Sequence, residues 1–220
     1  MQKQDVIRKI NEIGLIPVVR ADSAEMALRA VTAIREGGVS ILEITMTVPG
    51  AVGVIEMLAD RFGQDVLIGA GTVLDENTAR TCMQAGARFV VSPALDLATV
   101  ECCRSSGVVV MPGALTPTEV VKAWTAGADF VKVFPCGAVG GASYIKALKA
   151  PLPQVPLVPT GGVSLKTAAD FIKAGAAALG VGADLVDVAA LRSGQDSVIT
   201  ERARQFLSIV REARGSGAVP

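Results

Sequence analysis

TAGADFVKVFP, Thr125 to Pro135, carries a helix end directly into a strand. Its glycine suits the left-handed turn that closes a helix, and the run that follows is β-branched and aromatic. The same junction recurs as EGGVS (36–40), QAGARF (84–89), SSGVVV (105–110) and KAGAAA (173–178). The candidate strands are IPVVR (16–20), ILEITM (41–46), LIGAGTV (67–73), FVVSP (89–93), VVVMPG (108–113), FVKVFP (130–135), LVPTGG (157–162) and ALGVG (178–182). Their starts lie about 19 to 27 residues apart, the pitch of a strand–loop–helix unit.

Eight such units without a break in composition predict one domain over residues 1–220. A parallel sheet needs helices on its faces, and a count of eight favours an α/β fold of the (β/α)8 TIM-barrel type over an open sheet. The open alternative lacks a G-x-G-x-x-G fingerprint after the first strand. An extra N-terminal helix over 1–14 shows one apolar face in Val6, Ile7, Ile10 and Ile13. Thr116-Pro117-Thr118-Glu119 reads as a capping box, and Asp75 and Ser164 stand where N-caps belong. A last helix over 197–214 precedes a tail, 215–220, expected to fray.

Half of the residues are hydrophobic and 19% are charged, with 21 cations balancing 21 anions. No basic cluster points to nucleic acid, and the apolar runs are too short to span a membrane. MQKQDVIRKINEI lacks the apolar stretch of a signal peptide, so a cytoplasmic location is expected. The four cysteines follow neither a disulfide nor a zinc spacing. Histidine is absent, which removes histidine triads, bases and metal ligands and leaves acid–base work to other side chains.

In such barrels, reacting groups gather where strands end. Arg20, Glu43, Thr45, Thr72, Pro93, Lys132 and Thr160 all fall there. Period-two alternation sets Glu43, Thr45 and Thr47 on one face of their strand, and Lys132 and Phe134 on one face of theirs. The opposite faces are wholly apolar and suit the helices, so Glu43 and Lys132 should converge inside. A snorkelling lysine or a buried ion pair would be the inert readings of Lys132. A lysine flanked by apolar residues is instead placed to form a Schiff base with a carbonyl, with Glu43 moving protons and Phe134 excluding water. Thr160-Gly161-Gly162 and Gly182-Ala183 form two glycine turns in the loops where barrels hold phosphate. They would also serve as plain packing turns.

EITMTVPGA, IGAGTV, VVSP, MPGALTPTE, VKVFP and VPTGGV, in this order and spacing, resemble the bacterial 2-dehydro-3-deoxy-6-phosphogluconate (KDPG) and 4-hydroxy-2-oxoglutarate aldolases. The resemblance spans about Ile16 to Val186. It implies a homotrimeric lyase that splits a small 2-keto-4-hydroxy acid into pyruvate and an aldehyde, with no metal or other cofactor. By the matching motifs, Lys132 is the Schiff-base lysine and Glu43 the proton-transfer residue. Thr72 would help hold the pyruvate carboxylate, with Pro93, Phe134 and Thr160 around the substrate and Gly161, Gly162, Gly182 and Ala183 at the phosphate. Two positions depart from the pattern. Thr47 stands where some members carry a carboxylate-binding arginine, so Arg20 is expected to supply that guanidinium. Ala183 stands where many carry serine, and Asp184 beside it is expected to cap N–H groups that an anion would use. Thr160 resembles the gluco-specific branch. A phosphosugar epimerase or isomerase, or a non-catalytic barrel for anionic metabolites, would use the same barrel differently.

Overall fold

The computed structural model describes residues 1–63 and 65–215. Helix α1 (Lys3–Ile13) leads into β1 (Leu15–Val19), and then strands and helices alternate: α2 (Ala24–Glu36), β2 (Ile41–Thr45), α3 (Ala51–Phe62), β3 (Leu67–Gly71), α4 (Glu76–Gln84), β4 (Phe89–Val91), α5 (Leu97–Ser105) and β5 (Val109–Met111). The second half holds β6 (Gly113–Ala114), α6 (Pro117–Thr125), β7 (Val131–Val133), α7 (Ala142–Lys149), β8 (Leu157–Pro159), α8 (Ala168–Lys173) and β9 (Leu179–Val181). Helices α9 (Val188–Arg192) and α10 (Ser197–Gly215) follow. The tail expected to fray lies outside the described residues from 216 onward.

Every strand pair is parallel, in the orders β5-β4-β3-β2-β1-β9 and β6-β7-β8. A bridge between Thr160 and Gly180 joins β8 to β9. At the other seam β5 and β6 are one strand position cut by Pro112, which has no N–H to give a ladder. The expected fifth strand, 108–113, is therefore two pieces. The result is a (β/α)8 barrel with α1 in front of it.

Glycine is needed at this seam. A Cβ on Gly113 would collide with the backbone of Pro93, so the β4 loop and β6 meet closely only because nothing projects there.

The junction glycines 38, 86, 107, 127 and 175 all have φ between 66° and 102°, the region that L side chains avoid. Asp75 caps α4 through Thr78 N at 2.8 Å, and Thr116 and Glu119 complete the capping box of α6. Ser164 is not an N-cap. Its own amide donates to Thr167 Oγ1, and α8 starts only after Thr167. Val6 and Ile10 of α1 are buried, with Ile7 and Ile13 packed beside them. No helix among the described residues is long and apolar enough to cross a membrane.

The strands stop earlier than their hydrophobic runs. Thr72, Pro93, Phe134, Thr160, Gly161 and Gly182, all drawn into strands by the sequence pattern, lie just past the ladder ends. They form the C-terminal rim.

Candidate active site

Interior space comes first from β3. Its residues Gly69 and Gly71 share one face, and each lacks the side chain that would obstruct a neighbour. A Cβ on Gly69 would strike the ring of Phe89, and one on Gly71 would strike Oε1 of Glu43. The glutamate occupies the room that Gly71 leaves.

Glu43 is 2% exposed and Lys132 5%. Their strands, β2 and β7, stand opposite each other. One way round the ring passes β3, β4 and the β5/β6 position, and the other passes β1, β9 and β8. The charge of Lys132 nevertheless acts on Glu43, as expected of two buried side chains that share the interior. Glu43 Oε1 is buried without a hydrogen-bond partner among the described residues. Burial pushes the Glu43 carboxyl above the usual carboxylate range, while Lys132 and then Arg20 pull it back. Desolvation outweighs both cations because a charged carboxylate gains nothing from that apolar cleft. A carboxyl shifted upward in this way holds its proton more readily than an ordinary carboxylate, as a group that moves protons must.

Lys132 Nζ lies 5.3 Å from the centroid of the Phe134 ring, within cation–π range. Phe134, joined to Pro135 by a cis peptide, is half-buried on the rim. Its ring also lies beside Gly161, where a Cβ would touch it at 3.6 Å. Lys132 thus has carbon on the rim side and the Glu43 carboxyl across the barrel.

Arg20 follows β1 and is exposed, and its charge reaches Glu43. Thr72 has φ 59°, the sole non-glycine residue in the left-handed region among the described residues. A β-branched residue there is strained, and such strain gathers at functional sites. Pro93 is half-buried against Gly113. Thr160 is 8% exposed, and its side chain fills the space left by Gly180.

The glycine turn after β8 is braced from the loop after β7. Gly137 N donates to Gly161 O at 2.9 Å, and Gly137 packs on Gly162. Thr167 Oγ1 donates to Gly162 O, also at 2.9 Å. Gly161 and Gly162 both have positive φ, 83° and 78°, so their amides point where an ordinary turn would not send them. Gly182 and the exposed Ala183 follow β9, the strand next to β8. Beside them a cavity of about 550 Å³ is lined by Ser164, Lys166, Ala183, Asp184, Asp187 and Arg202.

Asp184 does not cap the following helix. That carboxylate is Asp187, which accepts from Ala190 N at 3.0 Å and pairs with Arg202 at 3.1 Å. Asp184 is exposed.

A family model described as KDPG and KHG aldolase matches residues 6–201. The chain belongs to that aldolase family. It is 33% identical to a 2-dehydro-3-deoxy-phosphogluconate aldolase of Treponema pallidum, over 93% of this chain and 97% of that one. It is 35% identical to a 2-dehydro-3-deoxy-6-phosphogalactonate aldolase of Escherichia coli, over 92% and 97%. A solved KDPG aldolase of Legionella pneumophila, with pyruvate captured as a covalent carbinolamine, superposes with a TM-score of 0.84. It is 29% identical, with 94% of this chain and 98% of that one covered.

Among the described residues of this aldolase, no group of three or more Cys, Asp and Glu side chains stands close enough to hold a metal. Two features of the rim were not legible as contacts. Arg202 sits on α10, far from the glycine turns in sequence, and no local pattern links it to them. Thr45 does show a local signal, since it shares the Glu43 face and ends β2, but its bond to β1 is invisible without register.

Proposed function

We propose that the chain is a class I aldolase. It would cleave KDPG to pyruvate and glyceraldehyde 3-phosphate, and 4-hydroxy-2-oxoglutarate to pyruvate and glyoxylate, through an imine on Lys132. The observation that carries this reading is the pairing of an amine and a carboxyl, both nearly sealed from solvent, across one barrel interior. The carbinolamine in the Legionella relative supports the same chemistry.

In this mechanism the Lys132 amine adds to C2 of the substrate, and the carbinolamine loses water to give an iminium. A base then takes the proton of the C4 hydroxyl, the C3–C4 bond breaks, and its electrons move to the iminium nitrogen as an enamine. The aldehyde departs. Protonation at C3 and hydrolysis release pyruvate and return the free amine. Glu43 is assigned to the proton transfers, directly or through water. Phe134 and Pro93 wall the pocket. Arg20 binds the carboxylate by two parallel hydrogen bonds, with Thr72 beside it and Thr160 nearby. Backbone amides at Gly161, Gly162, Gly182 and Ala183 receive the phosphate.

The finer assignments are part of the same proposal: one domain, a homotrimer, a cytoplasmic setting, and no cofactor beyond the covalent imine. A continuous core from Val6 to Ala213 supports the first of these.

Borohydride reduction in the presence of pyruvate tests the chemistry. The expected product is one reduced pyruvyl group on the peptide that holds Lys132, absent in Lys132→Met. An epimerase or a non-catalytic barrel would give no adduct. An adduct on another lysine would remove Lys132 from its role.

A further inference from the structure

The top of β1 is held by a hydroxyl from the neighbouring strand. Thr45 is fully buried. Its Oγ1 lies 3.1 Å from the Val19 carbonyl oxygen and 2.7 Å from Thr47 Oγ1. A carbonyl only accepts, and a hydroxyl has a single hydrogen. Thr45 therefore donates to Val19, and the bond between the two threonines must run from Thr47 to Thr45. Both protons are spent toward β1. Thr47 is left as an acceptor and cannot donate to a carboxylate while this chain of bonds stands.

The Val19 carbonyl belongs to the peptide group whose nitrogen is that of Arg20. The register Val18 to Glu43 and Val19 to Ile44 brings Arg20 level with Thr45 at the next position. Among the described residues the Arg20 guanidinium has no hydrogen bond or ion pair, although its charge reaches Glu43. The backbone sets the Cα–Cβ direction from which a side chain extends, so the Val19–Arg20 peptide fixes where the Arg20 side chain starts.

We infer that Thr45 is a positioning residue: through the Val19 peptide it aims the Arg20 guanidinium at the keto acid carboxylate, and Thr47 orients the Thr45 hydroxyl. This rests on the assignment of Arg20 under Proposed function. A positioning error of about 1 Å is enough to weaken such a contact severely.

The test is a double-mutant cycle read on the pyruvate KM in the condensation direction. Thr45→Val should raise that KM about tenfold, with kcat moving less than about twofold. Thr45→Ser, which keeps the hydroxyl, should restore most of the loss. In an Arg20→Ala background, Thr45→Val should add almost nothing. If Thr45→Val raises KM as much without Arg20 as with it, or is silent, or is matched by Thr45→Ser, the inference is wrong. Should Thr45→Val fail to fold, Thr45→Ala in the same two backgrounds gives the same reading. Borohydride trapping of saturating pyruvate on Lys132 should persist in Thr45→Val. Loss of trapping in the unaltered protein would instead refute the aldolase mechanism.

Discussion

The two ends of the barrel follow opposite rules. At the N-terminal end, polar groups are paired as they are buried. Asp129 accepts from Val110 N at 2.9 Å and holds Lys3 at 3.0 Å. Arg214 reaches back from α10 to donate to Glu12 O at 2.9 Å, to Ala177 O at 2.7 Å, and to Asn11 O, while its guanidinium lies across Gly14. Lys9 donates to Asp65 O. At the C-terminal end, among the described residues, Glu43 Oε1 is buried without a hydrogen-bond partner, the Arg20 guanidinium has no hydrogen bond or ion pair, and Thr72 is held in a left-handed conformation. A buried polar atom without a partner costs about 1–3 kcal/mol. The fold tolerates that at one end and avoids it at the other. On the proposed function, the difference separates the end that carries the reaction from the end that carries stability.

Glu43→Gln breaks this contrast most strongly. On the proposed mechanism kcat should fall by about 10²- to 10⁴-fold. The same change should stabilise the protein at neutral pH. Burial raises the Glu43 pKa, so between the ordinary carboxylate range and that raised value the folded chain keeps a proton that the unfolded chain has released. Stability then falls as pH rises through that window. Glutamine has no charge to bury and escapes the loss. A gain of about 2–4 °C in Tm at pH 7 is expected, shrinking as the pH approaches about 4. A variant that is inactive and also less stable at neutral pH would mean that Glu43 serves the fold.

Arg214→Met tests the other end. Losing a charged donor to three carbonyls should cost about 2 kcal/mol, or roughly 4–8 °C in Tm for a chain of this size. Turnover and KM should hold at temperatures well below the transition. A change in kinetics without a change in Tm would show that the two ends are coupled.

The repeat was readable because its grammar is local. A helix end, a glycine at positive φ and a β-branched run need no knowledge of distant residues, and all five junction glycines adopt the left-handed turn. The facing of Glu43 and Lys132 was readable because side chains alternate along a strand. What escaped depends on where strands stop and which elements meet. Pro112 cut the fifth strand because a missing N–H matters only once a partner is in place. Asp187 rather than Asp184 caps α9 because the turn after β9 is longer than the sequence suggested. The bond from Thr45 to Val19 joins residues 26 apart and is set by register alone.

Ala183→Ser gives the smallest effect and sharpens the contrast within the reactive end. The amine and carboxyl are sealed by apolar walls, whereas the glycine rim is open and its charges nearly cancel. Arg202 is paired with Asp187, and Lys166 shares its cavity with the exposed Asp184. A phosphate there would rely on backbone amides. A serine hydroxyl at 183 would add one donor, but at an exposed position where water competes. The gain should be near the bottom of the usual range, about 1 kcal/mol or roughly fivefold in KM for KDPG. The KM for 4-hydroxy-2-oxoglutarate, which has no phosphate, should stay within about twofold. Equal gains for both substrates would place residue 183 away from the phosphate, and no gain for either would mean that Asp184 repels the anion before the new hydroxyl can reach it.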